Sequence, residues 1–250
     1  NASSVKALIG SNPILSACKF KSHQLGDLMT IFEYDKITRE LRYFFSAKKG
    51  FTEVPAQSRK SILAACEDPT TVSQYIFSGQ NWPLPQTGQM WLERELLENP
   101  EVKGVFCQTT SYRNEPFPIE GRHDKIFPMF EFESHGDMED LVAMERELCE
   151  FLGFSAPVRM EYEAAAKEVG SSMIEAEQEE ELQAKMGDSI SLEMFPQRTS
   201  PFWNMKRDSN NPDLYHKVDV LLHGMETIGS AVRSCDPNQM REDFLSISDG

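Results

Sequence analysis

At 250 residues, with 40% hydrophobic and 26% charged residues, the chain is long enough for a sizeable core and has the composition of a globular protein. Its 25 basic against 40 acidic residues leave a net charge of −15, which opposes approach to a phosphate backbone and argues against broad nucleic-acid binding, although a few focused arginines would still hold a small anion. Five scattered cysteines (Cys18, Cys66, Cys107, Cys149, Cys235) form no CxxC pair, which points to a reduced, cytoplasmic setting, and the absence of any run of about 18 apolar residues or a signal-peptide core predicts no membrane segment.

Helical spacing begins near Leu28 and runs to Ala47, with Ile31, Tyr34, Ile37, Leu41, Phe44 and Phe45 on one stripe. Gly50 stops it, and Phe51–Pro55 reads as a short strand. Residues 56–73 read as helical or irregular, and 74–78 as a strand. Gly88–Leu97 is a helix with Met90, Leu92, Leu96 and Leu97 inward. An apolar run from Gly104 and the alternation Phe130–Glu131–Phe132–Glu133 bracket a charged loop, so the layout is strand, loop, strand. Asp137 is the expected N-cap of a helix whose stripe is Leu141, Val142, Met144, Leu148, Cys149 and Leu152. Two more helices follow, Tyr162–Val169 and Ile174–Met186. The second carries Glu175, Glu177, Glu179, Glu180 and Glu181, which reads as a solvated face. Val218–Leu222 is an apolar strand that turns at Gly224. These elements predict an α+β fold, an antiparallel sheet flanked by helices.

Four places carry polar groups that could do chemistry or serve structure alone. Arg113 and Glu115 lie two apart, hence on one face of a strand, and Arg122 and His123 follow on the loop with Phe127 four residues after His123. A salt-bridged turn and a phosphate grip with an aromatic cover fit this pattern equally. Asp219 and Glu226 are seven apart across a turn; two carboxylates held together call for a cation such as Mg²⁺ or a proton, though accidental spacing is the commoner outcome for such a pair alone. Gly229-Ser230-Ala-Val-Arg233 combines small residues with an arginine suited to a carboxylate, or to a purely structural bond. Pro85-Gln86-Thr87-Gly88-Gln89 stands at a helix start, where glutamines cap more often than they bind.

In this order the four places resemble the catalytic core of class II aminoacyl-tRNA synthetases of the aspartate, asparagine and lysine branch. "FFSAKKGFTEVPA" resembles the family's first motif, which builds a dimer interface. "YRNE…GRHDKIFPMFEFE" resembles its second motif, "PQTGQ" its substrate-binding segment, and "VDVLLHGMETIGSAVRSCD" the stretch that reads D, then E seven on, then small residues and R. The resemblance spans roughly residues 28–245 and implies roles. Arg113 would bind the α-phosphate of ATP, and Glu115 would position the nucleotide. His123 and Arg122 would reach the outer phosphates, and Phe127 would stack on adenine. Asp219 and Glu226 would share Mg²⁺. Gln86, Gln89, Glu131, Gly229, Ser230 and Arg233 would line the amino-acid subsite, Arg233 holding a side-chain carboxylate and Gln86 and Glu131 the α-ammonium.

Departures from the family pattern shape the expectation. Residues 1–26 form an extension shorter than the family's N-terminal anticodon barrel, and residues 27–250 form the catalytic domain. Gly250 precedes the glycine-rich third motif, so the chain is expected to continue beyond it. A lysine that aspartyl enzymes carry three residues after the substrate-binding glutamine is Gln89 here, which leaves asparagine or another amino acid open beside aspartate. The expected activity is therefore ATP- and Mg²⁺-dependent formation of an aminoacyl-adenylate by a homodimer. Transfer to a non-tRNA acceptor such as ammonia, as in the relatives similar to archaeal asparagine synthetase A, is favoured over tRNA. The alternatives are an aminoacyl-tRNA ligase with few tRNA contacts, or a catalytically silent binding module.

Overall fold

A computed structural model of the chain describes residues 7–12, 30–55, 71–114, 116–118 and 124–248. Strand β1 (Ala7–Asn12) opens it. The chain divides into two compact units, one of Ser11–Glu133 and one of Ser134–Gly250 with Asn1–Gly10.

The unit of Ser11–Glu133 starts with helix α1 (Ile31–Arg42), capped by a reciprocal pair in which the Thr30 hydroxyl accepts the Glu33 N–H and the Glu33 carboxylate accepts the Thr30 N–H. The helix continues as a wider π-helical segment over Tyr43–Lys48 and stops at Gly50, whose φ of 72° suits glycine. Ile37, Leu41, Phe44 and Phe45 are buried, whereas Ile31, on the same predicted stripe, is 77% exposed. Strand β2 (Thr52–Glu53) pairs in parallel with Val105–Phe106. The expectation for 56–73 lies mostly outside the described residues. Strands β3 (Gln74–Phe77) and β4 (Gln80–Pro83) form an antiparallel hairpin, and helix α2 spans Gln89–Glu98. Leu92 and Leu96 of α2 are buried as predicted, while Leu97 is exposed because a helix this size turns only one stripe inward.

Strands β5 (Gly104–Tyr112) and β6 (Ile126–His135) complete the order β2-β5-β6. The Arg113 N–H donates to the Lys125 carbonyl at 2.8 Å and closes the mouth of their hairpin. Strand alternation sorts the β6 side chains by face. Phe130 and Phe132 stack against Phe45, with centroids at 5.5 and 4.8 Å, and Phe106 joins them. Each such burial contributes about 1.5–3 kcal/mol. Glu131 and Glu133 are thereby committed to the opposite face, and both are buried.

The unit of Ser134–Gly250 opens with helix α3 (Met138–Phe151), capped by Asp137 and Asp140 as predicted for Asp137. Leu141, Val142, Leu148 and Cys149 face inward, and so does Glu145, a position the apolar pattern assigns to Met144. Strand β7 (Val158–Glu161), helix α4 (Tyr162–Glu168), helix α5 (Ala176–Met186), strand β8 (Ser189–Pro196), strand β9 (Leu214–Leu222), strand β10 (Met225–Val232) and helix α6 (Pro237–Ser248) follow. The strand order is β1-β10-β9-β8-β7. Strands β8, β9 and β10 run antiparallel, and β7 joins β8 in parallel. Strand β8 lies outside the predicted elements because its polar residues Ser189, Ser191 and Glu193 are buried along with its apolar ones, which erases the expected half-buried signature. Tyr162, Ala165, Ala166 and Leu182 pack on Ile190, Leu192, Phe195 and Leu221, so α4 and α5 cover one face of β8 and β9. The whole is an α+β fold, mainly antiparallel, with parallel pairs at β2–β5 and β7–β8. Among the described residues no helix is long and apolar enough to cross a membrane.

Candidate active site

In the unit of Ser11–Glu133, the segment Pro85–Gln89 lies along the end of β5. The Tyr112 N–H donates to the Pro85 carbonyl at 2.9 Å and the Ser111 hydroxyl to the Gln86 carbonyl at 2.7 Å. Gln86 is fully buried, and its side-chain amide donates to the Thr71 hydroxyl at 3.0 Å. Gln89 is also buried, and its N–H donates to the Thr87 hydroxyl at 3.1 Å.

Glu131 organises this loop. Its oxygens accept the Thr87 and Thr109 hydroxyls and the Gly88 N–H at 2.9 and 3.0 Å. Gly88 opens α2, so the carboxylate sits at the electropositive end of that helix. Burial pushes the Glu131 pKa up, opposed by those hydrogen bonds and by the Arg113 charge. The carboxylate expected to meet an α-ammonium is thus occupied by the loop that carries Gln86 and Gln89. Gly88 itself is required by closeness, since a Cβ there would lie 2.7 Å from Thr109 Cγ2 and 3.1 Å from Cys107 Sγ.

Arg113 follows β5, and its guanidinium lies over the Phe127 ring, 5.3 Å from the centroid. The phosphate-binding and base-stacking candidates of the hairpin are therefore neighbours. Glu115, Arg122 and His123 lie outside the described residues.

In the unit of Ser134–Gly250, the register of β9 and β10 decides what shares a face. Asp219 pairs with Gly229, Leu221 with Glu226 and Lys217 with Ala231. Residues two apart on a strand share a face, so Lys217, Asp219, Glu226 and Gly229 lie on one side, and the alternation continues to Arg233 just past β10. A bulge between Glu226 and Ile228 restores this phase after the turn. Ser230, expected in the substrate subsite, points the other way: its hydroxyl donates to Glu145 on α3 and to the Val218 carbonyl. Arg233 is buried and donates from Nη1 to Asn204 Oδ1 at 3.0 Å.

Asp219 is buried, while Glu226 is exposed. Burial, then repulsion from Glu226, pushes the Asp219 carboxyl up to about 8, against the pull of Lys217. The Lys217 ammonium donates to Asp219 Oδ2 at 2.6 Å, and Asp219 Oδ1 is buried without a hydrogen-bond partner. A bare carboxylate oxygen beside a second, exposed carboxylate suits a hard divalent ion that takes its remaining ligands from water or phosphate, so the donor set fits Mg²⁺. Among the described residues no larger group of His, Cys, Asp or Glu side chains gathers to hold a metal. Glu179 departs from the solvated face predicted for α5: it is half-buried, its Oε2 accepts the Glu226 N–H at 3.4 Å, and its charge also raises Asp219.

Lys217, Thr87, Thr109, Asn204 and Glu145 are polar partners absent from the sequence-derived set. Lys217 was within reach, because period-two spacing puts it beside Asp219. The others meet their partners only through long-range packing.

The fold is that of a class II aminoacyl-tRNA synthetase catalytic core. The chain belongs to the family described as tRNA synthetases class II (D, K and N), whose model matches residues 23–248. It resembles the asparaginyl-tRNA synthetase of Pyrococcus horikoshii, solved with asparaginyl-adenylate, at a TM-score of 0.74 and 21% identity over 85% of this chain and 55% of that one. The asparaginyl-tRNA synthetase of Entamoeba histolytica, also solved with asparaginyl-adenylate, gives 0.73 and 20% over 85% of this chain and 54% of that one. The aspartyl-tRNA synthetase of Entamoeba histolytica gives 0.66 and 17% over 94% and 47%. The chain thus spans about half the length of the solved synthetases it matches. No curated protein sequence matches it.

Proposed function

We propose that the chain activates an amino acid, aspartate or a relative, with ATP to give an aminoacyl-adenylate and pyrophosphate, and passes the acyl group to a non-tRNA acceptor such as ammonia. The observation that carries this reading is the face shared by Asp219, Glu226, Gly229 and Arg233, which sets a carboxylate pair and an arginine on adjoining strands. The amino-acid carboxylate attacks the α-phosphorus, the bond to the β-phosphate oxygen breaks, and pyrophosphate leaves. Arg113 neutralises charge that builds on the α-phosphate, and Phe127 takes the adenine once Arg113 turns to phosphate. Glu115, Arg122 and His123 complete the grip on the nucleotide. Asp219 Oδ1 and Glu226 would hold Mg²⁺, which supplies charge neutralisation at the polyphosphate. Arg233 grips the substrate side chain, Gln86, Gln89 and the Gly229–Ser230 backbone shape the amino-acid subsite, and Glu131 serves it by fixing the Gln86–Gln89 loop. Such a reaction needs positioning and charge compensation more than acid–base chemistry.

The net charge of −15 supports a small acceptor over a polyanion. The likeness to asparaginyl- and aspartyl-tRNA synthetases favours tRNA as the second reading. A cytoplasmic homodimer formed through α1 completes the proposal, in keeping with Ile31 and Phe32 being 77% and 79% exposed there. The test is ATP–pyrophosphate exchange across the twenty amino acids with the full-length protein. Exchange with aspartate or asparagine supports activation, and none with any amino acid refutes it. Adding ammonia or tRNA to an active reaction then shows which acceptor is used.

A further inference from the structure

The Asp219–Glu226 pair already has a cation. Lys217 stands two residues before Asp219 on the same strand face, with its ammonium 2.6 Å from Asp219 Oδ2 and 4.1 Å from the centroid of the Phe195 ring. The ring and the carboxylate both contact the ammonium, and its side chain is only 22% exposed. Other charged or polar groups bear on the cluster: Glu179 from α5, the Tyr162 hydroxyl from α4 and Glu226 from β10. The ammonium therefore offsets part of the negative charge that a divalent ion would find, and it occupies one of the two Asp219 oxygens. A nearby positive charge repels an incoming dication, and it does so more strongly where water is scarce.

We infer that Lys217 is a tethered counter-ion that weakens divalent-cation binding at the Asp219–Glu226 pair in the nucleotide-free protein. The inference rests on the proposed role of that pair in holding Mg²⁺. Its consequence is that metal binds firmly only when phosphate oxygens bring further ligands, so that metal and nucleotide arrive together.

The test is titration of nucleotide-free protein with Mn²⁺, following the free aquo ion by electron paramagnetic resonance. Lys217→Met keeps the aliphatic stem on Phe195 and removes the charge; it should bind Mn²⁺ about tenfold or more tightly than wild type. Lys217→Arg keeps the charge and should stay within about threefold of wild type. Adding Asp219→Asn to Lys217→Met should abolish the gain. Equal or weaker binding by Lys217→Met overturns the inference while leaving the metal role of the pair intact. If neither wild type nor Lys217→Met binds Mn²⁺, the inference falls, and repeating the titration with ATP present decides the metal role separately: no Mn²⁺ bound even with ATP refutes it. Should circular dichroism show Lys217→Met unfolded, Lys217→Gln takes its place under the same criteria. Wild type alone also tests the inference: an Mn²⁺ dissociation constant well below about 0.1 mM, in the range of dedicated high-affinity sites, overturns it.

Discussion

The Glu131 carboxylate accepts the Gly88 N–H with both oxygens, at 2.9 and 3.0 Å, and so ties the middle of β6 to the first turn of α2. The bond crosses from one strand to a loop 43 residues earlier, and the loop it holds carries Gln86 and Gln89. Glu131→Gln replaces an acceptor facing that N–H with an amide that can donate, and it removes a charge from the helix N-terminus. Equilibrium denaturation in urea should show a loss of about 1.5–3 kcal/mol. An unchanged midpoint would mean that the loop is held by other bonds.

Gly88→Ala tests the same junction by volume. The added methyl meets the Thr109 side chain at 2.7 Å, so that side chain must shift although its hydroxyl is already committed to Glu131. A cost of about 1–3 kcal/mol is expected in the same denaturation experiment.

Arg113→Ala should lower ATP–pyrophosphate exchange by about 100-fold or more, the scale of losing one preorganised charge at a transition state. A suitable control is Glu98→Ala, which removes only an exposed ion pair with Arg94 and should leave exchange and stability unchanged. Glu179→Ala is unsuitable as a neutral control, because Glu179 contacts the Glu226 backbone. Equal losses in Arg113→Ala and Glu98→Ala would contradict the role assigned to Arg113.

Glu145 predicts a pH dependence. It is buried on α3, its Oε1 accepts the Ser230 hydroxyl, and its Oε2 has no hydrogen-bond partner. Burial holds its pKa well above the ordinary carboxylate range, and repulsion from Asp219 and Glu193 adds to the effect. The folded state then binds a proton that the unfolded state releases near pH 4, so stability from this group is present at low pH and declines as pH rises above that value. Glu145→Gln should flatten the decline, and its melting temperature relative to wild type should rise steadily between pH 5 and pH 8. A constant difference across that range would show Glu145 ionising normally.

Thiol chemistry checks the burial pattern independently. Cys107 and Cys149 are buried, and burial raises both thiols, Cys149 to about 12; Cys235 is exposed. Peptide mapping after brief alkylation at pH 8 should find Cys235 modified and Cys107 and Cys149 protected until the protein is unfolded. Rapid labelling of Cys107 would place the β5 face in solvent.

Much of the chain was legible from pattern alone. Asp137 as an N-cap, Gly50 as a helix stop and the Phe–Glu alternation of β6 each follow from local chemistry: a side chain short enough to cap, a residue free to adopt positive φ, a strand with two unlike faces. The spacing of Asp219, Glu226 and Arg233 was also legible, because strand geometry makes sequence distance a guide to facing. Only the tertiary structure decided which partner each polar group meets. Ser230 belongs to the small-residue run that the resemblance assigns to the substrate subsite, and one residue of strand advance turns its hydroxyl to Glu145. Glu179 looked like one more charge on an acidic helix until packing set it beside Glu226. Glu131 is expected at a ligand, and the fold brings Thr87, Gly88 and Thr109 to it. Local pattern thus settled most of the helices, the two faces of β6 and a set of residues able to do chemistry, since these depend on covalent geometry and near neighbours, whereas β8 and the inward turn of Glu145 escaped it. Register and packing decided which of those residues are already paired, because an unsatisfied buried charge takes whatever donors the fold brings within reach.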